Sequence, residues 1–148
     1  MFTNILIPTD GSELSVQAGH RAIELAKSLK AKTTLVLVSP TFRQLMDEGF
    51  VGPMINVRKR DWEKGVAERA RLVLDAVAAE AKDAGVKCET VHVYRDSPYA
   101  AIIDTAKKSG CDLIVMGSHG YRGFKQLMLG SETMRVLSHS KIPVLVYR

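Results

Sequence analysis

Gly117, Gly120, Gly130 and the hydroxyl of Ser131 stand at a spacing that suits an anion. The chain reads Gly117-Ser-His-Gly120, then nine residues, then Gly130-Ser131, all directly after the apolar run Leu113-Ile-Val-Met116. A strand that ends there and a helix that begins at Ser131 would leave unpaired backbone N–H groups at the positive end of a helix dipole, a place suited to phosphate oxygens. Glycine lets the main chain come within hydrogen-bonding distance of an anion and permits positive φ. Ser131 adds a hydroxyl and an amide, while His119, Arg122 and Lys125 add donors or positive charge. The chemistry expected is nucleotide binding, with ATP as the ligand. The sequence has neither GxxxxGK[ST] nor GxGxxG, so the site is neither a Walker A loop nor a dinucleotide fingerprint.

A second element is Thr9-Asp10-Gly11-Ser12, which follows the apolar stretch from Asn4 to Ile7. A carboxylate closing that strand can accept hydrogen bonds from ribose hydroxyls. Asp before Gly-Ser is also a common turn arrangement, so Asp10 has two readings, sugar recognition and turn capping. Catalysis has weaker support. No HExxH, GxSxG or paired CxxC occurs, and His20, His92, His119 and His139 lack metal-ligand spacing. Asp10, Glu132 and His119 could supply parts of a hydrolase, but nothing aligns a water on a γ-phosphate. Slow or absent turnover is expected, with Mg2+ or Mn2+ bridging the phosphates because ATP normally carries a divalent cation.

These residues need a scaffold, and the alternation of strand and helix signals supplies one. After the first strand, Ser12 can cap a helix whose apolar face is Leu14, Ala18, Ala22, Leu25 and Leu29. Thr33 to Val38 is a β-branched strand suited to burial on both faces. Pro40 to Pro53 has no consistent period and reads as a long mobile loop. A helical pattern from about Met54 carries Trp62, Val66, Ala70, Val73, Leu74, Val77 and Ala81 and ends at Gly85. Val86 to Tyr94 is a third strand. Ser97-Pro98 opens a helix with Tyr99, Ala100, Ile103 and Ala106 as its buried face. Leu113 to Met116, a helix from Ser131 to Ser138, and a strand from Pro143 to Tyr147 complete the chain. One α/β domain over residues 1–148 is expected, a parallel doubly wound sheet of five strands in the order 3-2-1-4-5. Ligands in such sheets bind beyond the carboxyl ends of the strands at the switch point, here between strands one and four. Both informative loops fall there.

Composition bounds the rest. The 148 residues are 46% hydrophobic and 25% charged, as in ordinary globular proteins. No apolar run approaches a membrane span, and the N-terminus lacks the features of a leader, so a cytoplasmic protein is expected. Cys88 and Cys111 lie on or beside strand-like runs without CxxC spacing, which favours buried thiols over a disulfide. The net charge of +5 suits anionic partners, but its clusters sit at helix ends or beside acids. Nucleic-acid binding has only that charge in its favour, since interleaved aromatics and a recognition-helix pattern are missing.

Pro8-Thr-Asp-Gly-Ser12, Asp112-Leu-Ile-Val-Met-Gly-Ser-His-Gly120, Gly130-Ser131 and Pro143-Val-Leu-Val146 together resemble the universal stress protein family, across essentially the whole chain. The G-x2-G-x9-G-[ST] element is similar to that of its ATP-binding branch. The resemblance implies a Rossmann-like, adenine-nucleotide α-hydrolase-like sandwich that binds adenosine nucleotides, forms a homodimer and acts as a regulator or binding module in stress responses; a slow ATPase using the same site is the alternative. It further implies that Pro8, Thr9 and Asp10 flank adenine and ribose, and that Val38 contacts adenine. By the same resemblance Met116, Gly117, His119 and Gly120 line the ribose–phosphate side, while Gly130, Ser131, Glu132 and Thr133 hold the phosphates. Glu132 stands where the family more often has an apolar residue, and Arg95 where a glycine is usual before Asp96. A carboxylate beside phosphates repels them unless it turns away or meets a metal. The implied dimer forms through the strand from Pro143 to Tyr147, whose unpaired apolar edge is a pairing liability.

Overall fold

The computed structural model describes residues 1–48, 58–119 and 129–148. Five parallel strands form one sheet in the order β3-β2-β1-β4-β5: β1 (Asn4–Pro8), β2 (Lys32–Ser39), β3 (Cys88–Tyr94), β4 (Leu113–Gly117) and β5 (Val144–Tyr147). The strand order inferred from the sequence is therefore the observed one. Strict alternation along the central strands divides the core in two. Ile5, Ile7, Leu35, Leu37, Leu113 and Val115 face one side and pack on α1 (Glu13–Leu29) and α3 (Lys59–Asp83). Leu6, Val36, Ile114 and Met116 face the other and pack with Ile102 and Ala106 of α4 (Pro98–Lys108) and Val136 of α5 (Ser131–His139). The register places Ile7 beside Leu35 and Pro8 beside Val36, so β2 runs on past the end of β1 to Ser39.

Local signals explain the helix ends. Ser12 caps α1, its hydroxyl accepting from Ser15 N at 3.3 Å, with Glu13 in the first turn. Lys30 closes the helix in the left-handed region at φ 56°, its N–H returned to the last carbonyls. Asp112 ties the start of β4 to β1, its carboxylate accepting from Thr3 N, the Thr3 hydroxyl and Asn4 N at 2.8–3.0 Å. No described helix is long and apolar enough to cross a membrane.

Three expectations are corrected. Pro40 to Pro53 is not loop throughout, because Phe42–Asp47 forms a short helix, α2, capped by the Thr41 hydroxyl, which accepts from Gln44 N at 3.2 Å. None of its residues is buried, which is why it leaves no apolar period in the sequence. Gly49, Gly52, Pro53 and Met54 lie outside the described residues. In α4 the buried side chains are Ala101, Ile102, Ile103, Thr105 and Ala106. Tyr99 and Ala100 are only half-buried, since Tyr99 turns toward α5 and stacks on His139 with ring centres 4.9 Å apart. Both cysteines are free, but only Cys111 is buried; Cys88, on the edge strand β3, is half-buried.

Candidate functional site

The carboxyl ends of β1, β2 and β4 and the starts of α4 and α5 enclose a cavity of about 740 Å³. Pro8, Thr9, Asp10, Val38, Met116, Gly117, His119, Gly130, Ser131, Glu132 and Thr133 all border it. These are the residues that the sequence singles out, brought together from four separate stretches of chain; Gly120, Arg122 and Lys125 lie outside the described residues. The volume falls in the usual range for small-molecule sites.

On the β1 side, the turn after Pro8 is fixed from within. Thr9 is buried, its N–H donating to Val36 O at 2.9 Å and its hydroxyl lying 3.1 Å from that of Ser15. Asp10 is exposed at the cavity mouth, and its Oδ1 accepts from Ser12 N at 2.9 Å. Turn organisation, one of its two readings, is thus present in the structure. Gly11 has φ +79°, so this turn does require glycine.

On the other side, α5 starts at the cavity wall. Its first intrahelical bond runs from Met134 N to Gly130 O at 3.0 Å, so the amides of Ser131, Glu132 and Thr133 precede the helical ladder. Ser131 is exposed. Thr133 is buried, and its hydroxyl donates to Gly117 O at 3.1 Å, which pins the helix to the end of β4. The Thr133 hydroxyl is thereby committed to the fold rather than to a ligand. The glycines also act differently from expectation. Neither Gly117 nor Gly130 has positive φ; Gly130 sits at φ −60°, ψ 151°. Its need is space: a Cβ there would stand 3.0 Å from His119 Cα and 3.1 Å from His119 Cβ. At Gly117 a Cβ would stand 3.3 Å from Leu14 Cγ.

Glu132 keeps its place on the cavity wall and is anchored there by two partners. Its Oε2 accepts from Tyr99 N at 2.8 Å, and its Oε1 from Arg135 Nη1 at 3.2 Å. Arg95 forms an ion pair with Asp104 of α4, which holds the Asp104 carboxyl below the usual range. Asp96 accepts from the Thr41 hydroxyl at 2.5 Å and from Thr41 N at 3.0 Å; these bonds lower its pKa and join α2 to the turn after β3.

Sequence reasoning missed several bordering residues. Pro98 and Ile102 lie four apart on α4, as do Ser131 and Arg135 on α5, and this helical spacing was the available signal. Gln44 of α2 and Glu48 at its C-terminal cap also border the cavity, on an element that the sequence reading took for loop.

Comparison with known proteins bears on the family and the fold. A protein-family model described as the universal stress protein family matches residues 1–148. The universal stress protein YxiE of Bacillus subtilis is 32% identical over 157 residues, covering all of both chains. The solved structure of MJ0577, a universal stress protein of Methanocaldococcus jannaschii, superposes with a TM-score of 0.78 at 30% identity, covering 99% of this chain and 95% of that one. A universal stress protein in complex with cAMP shares the fold, with a TM-score of 0.68 at 24% identity over 99% of this chain and 97% of that one. From end to end, the chain belongs to the universal stress protein family.

Proposed function

We propose that the cavity binds an adenosine nucleotide, ATP being the preferred candidate, and that the protein acts as a cytoplasmic, nucleotide-dependent regulator or binding module in stress responses. One observation carries this reading. The glycine–serine motif and the Thr9-Asp10 turn, far apart in sequence, border a single cavity at the switch point between β1 and β4. Pro8, Val38 and Met116 offer apolar surface for a base, Asp10 stands at the mouth for a ribose, and the leading amides of α5 suit phosphate. The ligand class is that of the cAMP complex, whose likeness to this chain is one of fold.

Binding is preferred to turnover. Glu132, the acid closest in sequence to the phosphate motif, is engaged by Tyr99 N and Arg135, and so is not poised as a base. A divalent cation would arrive with the nucleotide. The proposal includes a homodimer built on β5, which ends the sheet and exposes Leu145 by 44%.

Mass spectrometry of nucleotide released from the purified, denatured protein tests the reading, with calorimetric titration of ATP and adenosine beside it. Recovery of an adenosine nucleotide, or saturable binding of one, is expected. No nucleotide recovered and no heat at millimolar ligand would overturn the proposal. Single-turnover assay with labelled ATP should return intact ligand; product formed within one turnover would favour the ATPase reading.

A further inference from the structure

Glu132 lies in the first turn of α5, borders the cavity and reaches across to α4. Tyr99, whose N–H it accepts, is the second residue of α4, and the cap residue of that helix, Ser97, makes no side-chain cap bond. Glu132 therefore supplies from another helix the anion that the start of α4 would otherwise lack. Arg135 donates to the other carboxylate oxygen, and its guanidinium lies over the Tyr99 ring, 5.7 Å from the centre. Two partners on two helices fix the negative charge in place. Swinging it into solvent would break both contacts.

The charges around the cavity sharpen the consequence. Among the described residues bordering it, the acids Asp10, Glu48, Asp96 and Glu132 outnumber the arginines Arg95 and Arg135 by four to two, His119 being the one further basic side chain, in a chain of net charge +5. Both arginines already pair with carboxylates, Arg95 with Asp104 and Arg135 with Glu132. A phosphate chain reaching the α5 amides thus meets an anchored carboxylate at the second position of the same helix.

We propose that Glu132 is a specificity-determining residue of the nucleotide site, which selects against phosphate charge and so makes tight binding of a triphosphate depend on a divalent cation. This rests on the nucleotide reading above. Adenosine, lacking phosphate, is indifferent to Glu132. Metal-free ATP is disfavoured most and AMP less, and Mg2+ on ATP relieves the repulsion.

The test is calorimetric titration of the wild type and Glu132→Gln with adenosine, AMP and ATP in EDTA, and with ATP in excess Mg2+. Gln keeps an acceptor for Tyr99 N and removes the charge. Metal-free ATP should bind Glu132→Gln more tightly by on the order of tenfold. AMP should gain less, adenosine should stay within about twofold, and Mg2+ should shrink the ATP gain. Arg135→Gln, which strips the paired cation from Glu132, should act in the opposite direction on ATP and provides the second variant should Glu132→Gln fail to fold. Equal changes for adenosine and ATP would reduce Glu132 to a structural cap and overturn the inference. Weakened Mg2+–ATP binding in Glu132→Gln would overturn it by making the carboxylate a metal contact. A wild type that binds none of the ligands overturns the nucleotide reading itself, whereas a wild type that binds all of them with ratios unmoved by Glu132→Gln overturns the inference alone.

Discussion

Gly130→Ala isolates what the phosphate-loop glycine does for the fold. At φ −60°, ψ 151° the backbone accepts any L-residue, so the substitution carries no conformational strain. What it adds is a methyl group 3.0 Å from His119 Cα, a main-chain atom that cannot rotate away. The two segments must part by a few tenths of an ångström. The bond between them, Gly130 N to Ser118 O at 2.7 Å, resists the separation. Overpacking of this kind costs about 1–3 kcal/mol. Restricting the unfolded chain returns about 0.4–1 kcal/mol. The net is a loss of roughly 0.5–2 kcal/mol, hence a fall in Tm of about 2–6 °C for a domain of this size. Thermal unfolding followed by circular dichroism measures it, with Gly65→Ala as the control. Gly65 also lacks positive φ and lies within α3, and a methyl added to it would meet nothing within 4 Å. Alanine there should stabilise by about 0.5–1 kcal/mol. Opposite signs for the two variants are expected. A Gly130→Ala protein as stable as the wild type would refute the close-contact argument and return the glycine to a role in ligand approach.

Other outcomes follow from the same contacts. Asp10→Asn keeps an acceptor for Ser12 N and loses the charge, so adenosine binding by calorimetry should weaken by about tenfold with Tm nearly unchanged, while inorganic triphosphate is unaffected. Burial pushes the His92 imidazole below its ordinary range, so the unfolded chain takes up the proton first. Stability from this group is present above about pH 6.5 and lost as pH falls through the lower folded value, a slope that His92→Gln should remove from the Tm–pH curve. Burial raises the Asp112 carboxyl, but bonds from Asn4 N and Thr3 outweigh it and hold the group below the usual range. Its contribution is present above the ordinary carboxylate pKa and lost on further acidification, and Asp112→Asn should flatten that part of the acid-unfolding curve. Leu145→Lys should shift the mass found by light scattering from dimer to monomer; a monomeric wild type at micromolar concentration would refute the β5 dimer.

The strand order was legible because the β-branched or apolar runs are short and alternate with helical patterns, and β1, β2 and β4 are buried on both faces, which leaves few parallel topologies open. The candidate site was legible through Gly117 and Asp10 at the ends of β4 and β1 and Gly130 at the start of α5, which the fold brings to one cavity. Other features leave no local trace. The short helix α2 buries no residue, and its tie to Asp96 depends on a partner 55 positions away. The bond from Tyr99 N to Glu132 spans 33 positions, and nothing near Ser97 announces that its cap will come from α5.

The first turn of α5 shows how a residue pattern can be right about a place and wrong about the work of its side chains. Read as a ligand motif, Gly130-Ser131-Glu132-Thr133 suggests four groups aimed at phosphate. In the structure Gly130 makes room for the main chain of His119, Glu132 reaches Tyr99 and Arg135, and the Thr133 hydroxyl closes on Gly117 O. Three of the four positions thus serve to fix the turn against β4 and α4, and only Ser131 is exposed. Fixing the turn is itself the functional requirement, because amides preceding a helical ladder attract an anion well only when they need not reorganise to meet it. Substitutions at Gly130 and Thr133 should therefore register in stability as well as in binding, whereas Ser131→Ala should register in phosphate binding alone.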